Sequence, residues 1–205
     1  MNLLYVWGVA LLLWGAFFLW YTNLGGPLTP AEIEHYTQSL ASSGEVGPEQ
    51  RARMLKFLED DTGGDFLMMN VIEMHEKPIQ VEGVRADETS QQVLDRYMAY
   101  MWPALLKRAC HPVVFGSAAA PAMESWGIDG EGPWTAAAMM RYRSRRDLME
   151  IAATPDFNGP HGFKIAAMKR TIAFPLDPFM QLGDPRLVLG LVLFGVAAGL
   201  QLLVR

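Results

Sequence analysis

Two uncharged apolar stretches lie at the ends of the chain, and the segments between them follow the order β-α-β-β-α-β. Together these predict an α+β protein: a ferredoxin-like domain flanked by N- and C-terminal transmembrane helices. The first stretch is Leu3–Tyr21 (LLYVWGVALLLWGAFFLWY) and the second Leu187–Val204 (LVLGLVLFGVAAGLQLLV). Each approaches the roughly 20 apolar residues that cross a hydrocarbon core as a helix. The first lacks the basic leader and small-residue cleavage site of a signal peptide, and Trp7, Trp14 and Trp20 are too bulky for one. It reads as an anchor. In the second, apolar residues surround every face, which a helix buried in a soluble domain does not need.

Two spans place both termini on one side of the membrane and residues 22–186 on the other. That middle segment holds all 22 acidic residues and every basic one except Arg205, so its formal charge is (17 − 1) − 22 = −6. An acidic domain excludes nucleic acid as a partner and is repelled by anionic lipid. Arg186, with Arg170 and Lys169, outweighs Arg205 and points to the cytoplasmic side of a cell inner membrane. The single cysteine, Cys110, excludes an internal disulfide and reads as a buried thiol.

The elements follow in order. "TNLGGPLTP" is a linker of turn-formers. Thr29-Pro30-Ala31-Glu32 then supplies an N-cap, a proline at the first helical position and a glutamate closing a capping box, so a short helix should run to about Leu40. Pro48 starts another, with Ala52, Leu55 and Leu58 along one face. The dense apolar run "FLMMNVIEM" predicts a strand over Phe66–Met74. From Ser90 the spacing of Leu94, Tyr97, Met98, Met101 and Leu105 is helical, with Pro103 expected to kink or end the helix. Val113–Ser117 and Ala136–Tyr142 read as the second and third strands, and Thr171–Phe174 lies in the fourth. Between the last two, Ser144 and Asp147 form an S-x-x-D cap for a helix holding Leu148, Met149 and Ile151. "TPDFNGPHG" interrupts, and "FKIAAMK" resumes a helix. The resulting division is a transmembrane helix over 1–21, a linker with two short helices over 22–63, the α+β domain over 64–178, a linker over 179–186 and a transmembrane helix over 187–205. With both helices on one face of the sheet, the other face is left apolar and needs a partner.

The combination of "FLMMNVIEM", "AYMWPAL", "MRYRSRRDLMEIAATPDF" and "HGFKIAAMKRTIAFPL" resembles the dimeric α+β barrel superfamily, and within it the domain of unknown function 1330 family. The points of likeness are Asn70 in the first strand, Tyr142-Arg143-Ser144 where the family has Phe-x-Ser, and the segment from His161 to Ala167. They cover about Phe66 to Leu176, outside the spans. The resemblance implies a two-chain barrel and relatives that include monooxygenases and isomerases, but no single activity.

Candidate chemistry is sparse. Asn70 is the one amide in an apolar strand, and could orient a ligand carbonyl or serve as a satisfied structural amide. Arg141 suits a ligand carboxylate or a structural pairing with Glu73 or Glu124. Tyr97 is a further polar group for a lumen site. Glu73 and His75 share a strand face without a third ligand, and His111 and His161 sit at a junction and in a Gly-Pro-His-Gly turn, so no metal or cofactor is expected. Gly195 and Gly199 in "GVAAG" form a small-xxx-small face for helix packing. The leading expectation is therefore a membrane-anchored binding or assembly module, an accessory subunit that meets other membrane-complex subunits or itself within the lipid bilayer. The alternative is a barrel-superfamily enzyme, a monooxygenase or isomerase acting on a small apolar substrate in the lumen. A pocket lined by Asn70, Arg141 and Tyr97 favours the second, and a filled lumen the first.

Overall fold

Alternating apolar side chains make strands only when a neighbour takes up their backbone groups, and here four segments do so for one another. The computed structural model describes residues 3–42, 47–127, 132–154 and 158–203. The chain divides into two units: Gly26–Asp177, and a second built from Met1–Gly25 with Pro178–Arg205.

In the first unit, strands β1 (Phe66–Met74), β2 (His111–Ser117), β3 (Ala136–Tyr142) and β4 (Met168–Leu176) form one antiparallel sheet in the order β2-β3-β1-β4. That is the ferredoxin-like arrangement the element order predicts. Register fixes which side chains share a face: Met68 lies opposite Met140 and Asn70 opposite Ala138, while Leu67 lies opposite Arg141. The even-numbered residues of β1 and β3 meet the helices. Their core joins Phe66 and Tyr142 to Val93, Leu94, Met101 and Leu105 of α4 (Ser90–Lys107), with Ile151 of α5 (Arg145–Ala152) and Ala166 and Ala167 of α6 (Asn158–Ala167).

Helix α4 begins with a reciprocal capping box, in which Thr89 accepts from the Gln92 backbone N–H and the Gln92 side chain accepts from that of Thr89. It does not stop at Pro103, which lies inside it. The hydrogen bond lost there is outweighed by burial of Met101 and Leu105, which flank the proline on the core face. The Gly-Pro-His-Gly segment is likewise not a turn: it forms the start of α6, where a proline lacks only an N–H that would have had no helical partner. Met168 and Lys169, expected in that helix, belong to β4.

Ser144 caps α5 as its spacing predicts. Its Oγ accepts from the Asp147 N–H at 3.0 Å and donates to Asp147 Oδ2 at 2.6 Å. Ser144→Ala should therefore lower stability by about 1 kcal/mol, the usual worth of an N-cap. An unchanged thermal midpoint in detergent solution would show that the cap is dispensable.

The two short helices, α2 (Pro30–Ser42) and α3 (Pro48–Glu59), belong to this unit rather than to a linker. Leu28, Tyr36 and Leu58 form a second small core with Met149 of α5. Charge reinforces it, since Arg146 bonds Glu32 (2.5 and 3.1 Å) and Arg145 pairs with Asp61 and lies over the Phe57 ring. Glu32 also closes the capping box with Thr29. The Arg146 guanidinium, helped by the Thr29 N–H, holds the Glu32 carboxyl down to about 2 from 4.5. A depressed carboxylate stabilises the fold above its unfolded value and loses that contribution as pH falls through its folded value. Wild type should therefore exceed Glu32→Gln in stability at pH 6, with the gap closing between about pH 4.5 and 2. Paired acid-unfolding curves test this, and a gap independent of pH would refute it.

In the second unit, α1 (Leu3–Tyr21) and α7 (Pro185–Leu203) run antiparallel. Both are long and apolar enough to cross a membrane. Trp7 Nε1 donates to Gln201 Oε1 and Trp14 Nε1 to the Arg186 carbonyl, each at 2.9 Å, so indoles tie the two helices together near both ends. The close approach falls at Gly190, where a Cβ would stand 3.0 Å from Trp14 Nε1. Gly195 and Gly199 are not part of it, since a Cβ at either meets nothing within 4 Å. If they pack against a helix, it is not α1.

Candidate functional site: a cavity between sheet and helices

The layer between the even face of the sheet and helices α4 to α6 is not filled. It encloses a cavity of about 300 Å³, within the size range of small-molecule sites. Its floor is apolar, with Met68, Ile72, Ala138 and Met140 on the two central strands and Phe115 on β2. Leu94, Met98, Met101 and Trp102 of α4 form one wall. A few polar groups converge on this surface, and each is placed there by its element.

Asn70 faces the cavity from β1, as the middle of three even-numbered positions. Its amide nitrogen donates to the carbonyls of Met68 (3.0 Å) and Ala138 (3.5 Å), which fixes the plane of the carboxamide. The carboxamide oxygen remains as an acceptor at the cavity wall. Tyr97 enters from α4 and is buried; burial, aided by neighbouring Tyr100, pushes its phenol well above the ordinary range, so it stays protonated. Tyr142 closes the end of the sheet, stacked on Phe66 with ring centres 5.4 Å apart. Burial raises its phenol too.

Arg141 does not join them. As an odd-numbered residue of β3 it lies on the opposite face, where it is 1% exposed. Its Nε donates to Asp65 (2.8 Å) and its Nη1 to the Ala109 carbonyl (2.8 Å). The structural pairing the sequence suggests is thus real, but the partner is Asp65 rather than Glu73 or Glu124. Asp65 lies just before β1, outside the predicted strand, so strand parity could not nominate it. Glu73 is instead held by Lys169 and Arg170 from β4, which lower its carboxyl below the usual range, Lys169 most.

The histidines remain apart. His75 contributes backbone bonds to Ala167 and Ser90, His111 Nδ1 contacts its neighbour's carbonyl, and the His161 ring lies 6.5 Å from that of Tyr97. Among the described residues no three His, Cys, Asp or Glu side chains gather as metal ligands. Cys110 is buried, and burial pushes its thiol up to about 11, which keeps it protonated and unreactive at neutral pH.

Sequence reasoning missed Lys164, which lines the cavity from α6. Its signal was present: Lys164 lies three residues before the fully buried Ala167, on the core-facing side of the helix. A solvated lysine would lie elsewhere on that helix. Gln91 and Asp95 of α4 also reach the rim, joined by a 2.8 Å hydrogen bond.

Fold and site together define an α+β layer protein of ferredoxin-like order with an apolar ligand-sized cavity between its layers. Two solved structures of one protein share the fold. The RPA0582 protein of Rhodopseudomonas palustris, a protein of unknown function, is 17% identical with a TM-score of 0.51, over 67% of this chain and 97% of that one. The methylated form of RPA0582 gives 17% identity and a TM-score of 0.53, over 68% and 96%. SnoaB, a cofactor-independent oxygenase from Streptomyces nogalater, is more remote, at 10% identity and a TM-score of 0.38 over 59% and 99%. No protein-family model and no curated protein matches the chain.

Proposed function

We propose that this protein is a membrane-anchored receptor domain for a small, mainly apolar molecule, which enters the cavity between the sheet and helices α4 to α6. The observation that carries this reading is the cavity itself. It is open in the folded chain, apolar over most of its surface, and bears the fixed Asn70 carboxamide and the Tyr97 wall. A layer that served only for cohesion would be filled, because unfilled volume costs stability. Anchoring by α1 and α7 holds the site beside a bilayer, where apolar molecules concentrate. Two of the three residues expected to mark a lumen site, Asn70 and Tyr97, line the cavity; Arg141 does not. Binding is proposed here, and a turnover step is not: no nucleophile with an adjacent base faces the cavity among the described residues.

Occlusion tests the reading. With the full chain in lipid nanodiscs, 2-naphthylmethanol should bind saturably, and Ala138→Phe should weaken binding by about tenfold or more by filling the floor of the site. Equal binding by the filled variant, with its fold verified by circular dichroism, would sink the proposal.

A second reading, the assembly module, is supported by the other sheet face. Val114, Ile172, Phe174 and Leu176 share that face and are all exposed. Such a row is apolar enough to bind a second protein surface. Under this reading the Gly195 and Gly199 face of α7 would meet a partner's helix, and Gly195→Leu with Gly199→Leu would release copurifying subunits while leaving the 26–177 unit folded.

A further inference from the structure

Among the described residues, Lys164 is the one ammonium group on the cavity wall. No hydrogen bond or ion pair joins it to any described residue, and its Nζ lies 5.9 Å from the centre of the Tyr97 ring. The other basic side chains near the core are matched: Arg141 by Asp65, Arg145 by Asp61, Arg146 by Glu32, and Arg170 by Glu73. Lys164 is half-buried, and a charge partly withdrawn from water is ordinarily paired. Among the described residues, the one carboxylate on the cavity rim, Asp95, is exposed and held by Gln91 rather than by Lys164.

Resting on the cavity reading, we propose that the ligand is an amphiphilic acid, whose apolar body lies over Met68, Met140 and Phe115 and whose single anionic oxygen group pairs with Lys164. The Asn70 carboxamide oxygen, an acceptor, would take a hydroxyl or amide donor on the ligand's body rather than its anionic end. Tyr97 faces Lys164 with its ring, and a cation held over an aromatic face retains donors for an incoming anion. Desolvation lowers the Lys164 ammonium below the ordinary lysine value, and a docked anion would reverse that effect. The anion thus gives Lys164 the counter-charge that no described residue supplies.

The test compares 2-naphthoate with 2-naphthylmethanol, molecules of nearly equal size that differ in charge. Calorimetry on the full chain in nanodiscs, with empty nanodiscs subtracted, should show the acid binding about tenfold tighter, as expected for a hydrogen bond between charged groups. Lys164→Met should bring that ratio to about one, and Lys164→Arg should keep the preference. Alcohol binding without preference for the acid, or a preference that survives in Lys164→Met, overturns the assignment of charge and leaves the cavity reading standing. Failure of both probes to bind overturns the two together.

Discussion

Asp65→Ala should destabilise the 26–177 unit by about 3 kcal/mol, because it strips the counter-charge from a guanidinium that is almost wholly inaccessible to water. Asp65 itself is about a quarter exposed, so the converse change, Arg141→Met, leaves a carboxylate that water can reach and should cost less, about 2 kcal/mol. The double replacement should be less damaging than the sum, since it removes both charges at once. Chemical denaturation of the four proteins in one detergent closes the cycle. Costs that simply add would mean the two side chains contribute independently and the pair is incidental.

Gly63→Ala should be comparably severe, at roughly 2–4 kcal/mol, for a backbone reason. Gly63 has φ +78, and a Cβ there would lie 2.6 Å from the Gly26 carbonyl carbon and 2.7 Å from the Pro27 nitrogen. These are main-chain atoms and cannot swing aside. Gly26 supplies the control: it also has positive φ, but a Cβ there meets nothing within 4 Å. Gly26→Ala should therefore cost only the conformational penalty, about 1 kcal/mol. Similar losses for the two variants would show that the close approach of 63 to 26–27 does not matter.

Under the proposed binding reading, these effects have a functional consequence. Arg141 and Asp65 secure the end of the β1–β3 pair, whose other face carries Met68, Asn70, Ala138 and Met140 to the cavity proposed as the ligand site. Loss of the pair should loosen ligand binding without touching any cavity-lining residue.

Much of the fold is legible in the residues themselves. Alternation and apolar density mark β1 and β3 at their observed ends, and Thr29–Glu32 and Ser144–Asp147 mark two helix starts, because caps and strand faces depend on neighbours a few positions away. The two long apolar helices are legible for the same reason. A local rule misled at Pro160, which lies in the first turn of a helix rather than in a turn, and the helix that Pro103 was expected to kink or end runs through it.

Asn70 and Tyr97 were recognisable as polar groups set in apolar faces, but their meeting at one cavity depends on register between strands and on how α4 crosses the sheet. The partner of Arg141 was decided by a residue 76 positions away, and the placement of Lys164 out of reach of every described carboxylate by how α6 packs on the sheet. Sequence alone determined the elements, their order and the apolar ends, since these follow from chain-local periodicity and capping. Only the tertiary structure decided which charges are matched, where the layers fail to fill, and which glycine lets α1 and α7 approach. Those outcomes depend on distances between segments far apart in the chain, and no local pattern encodes them.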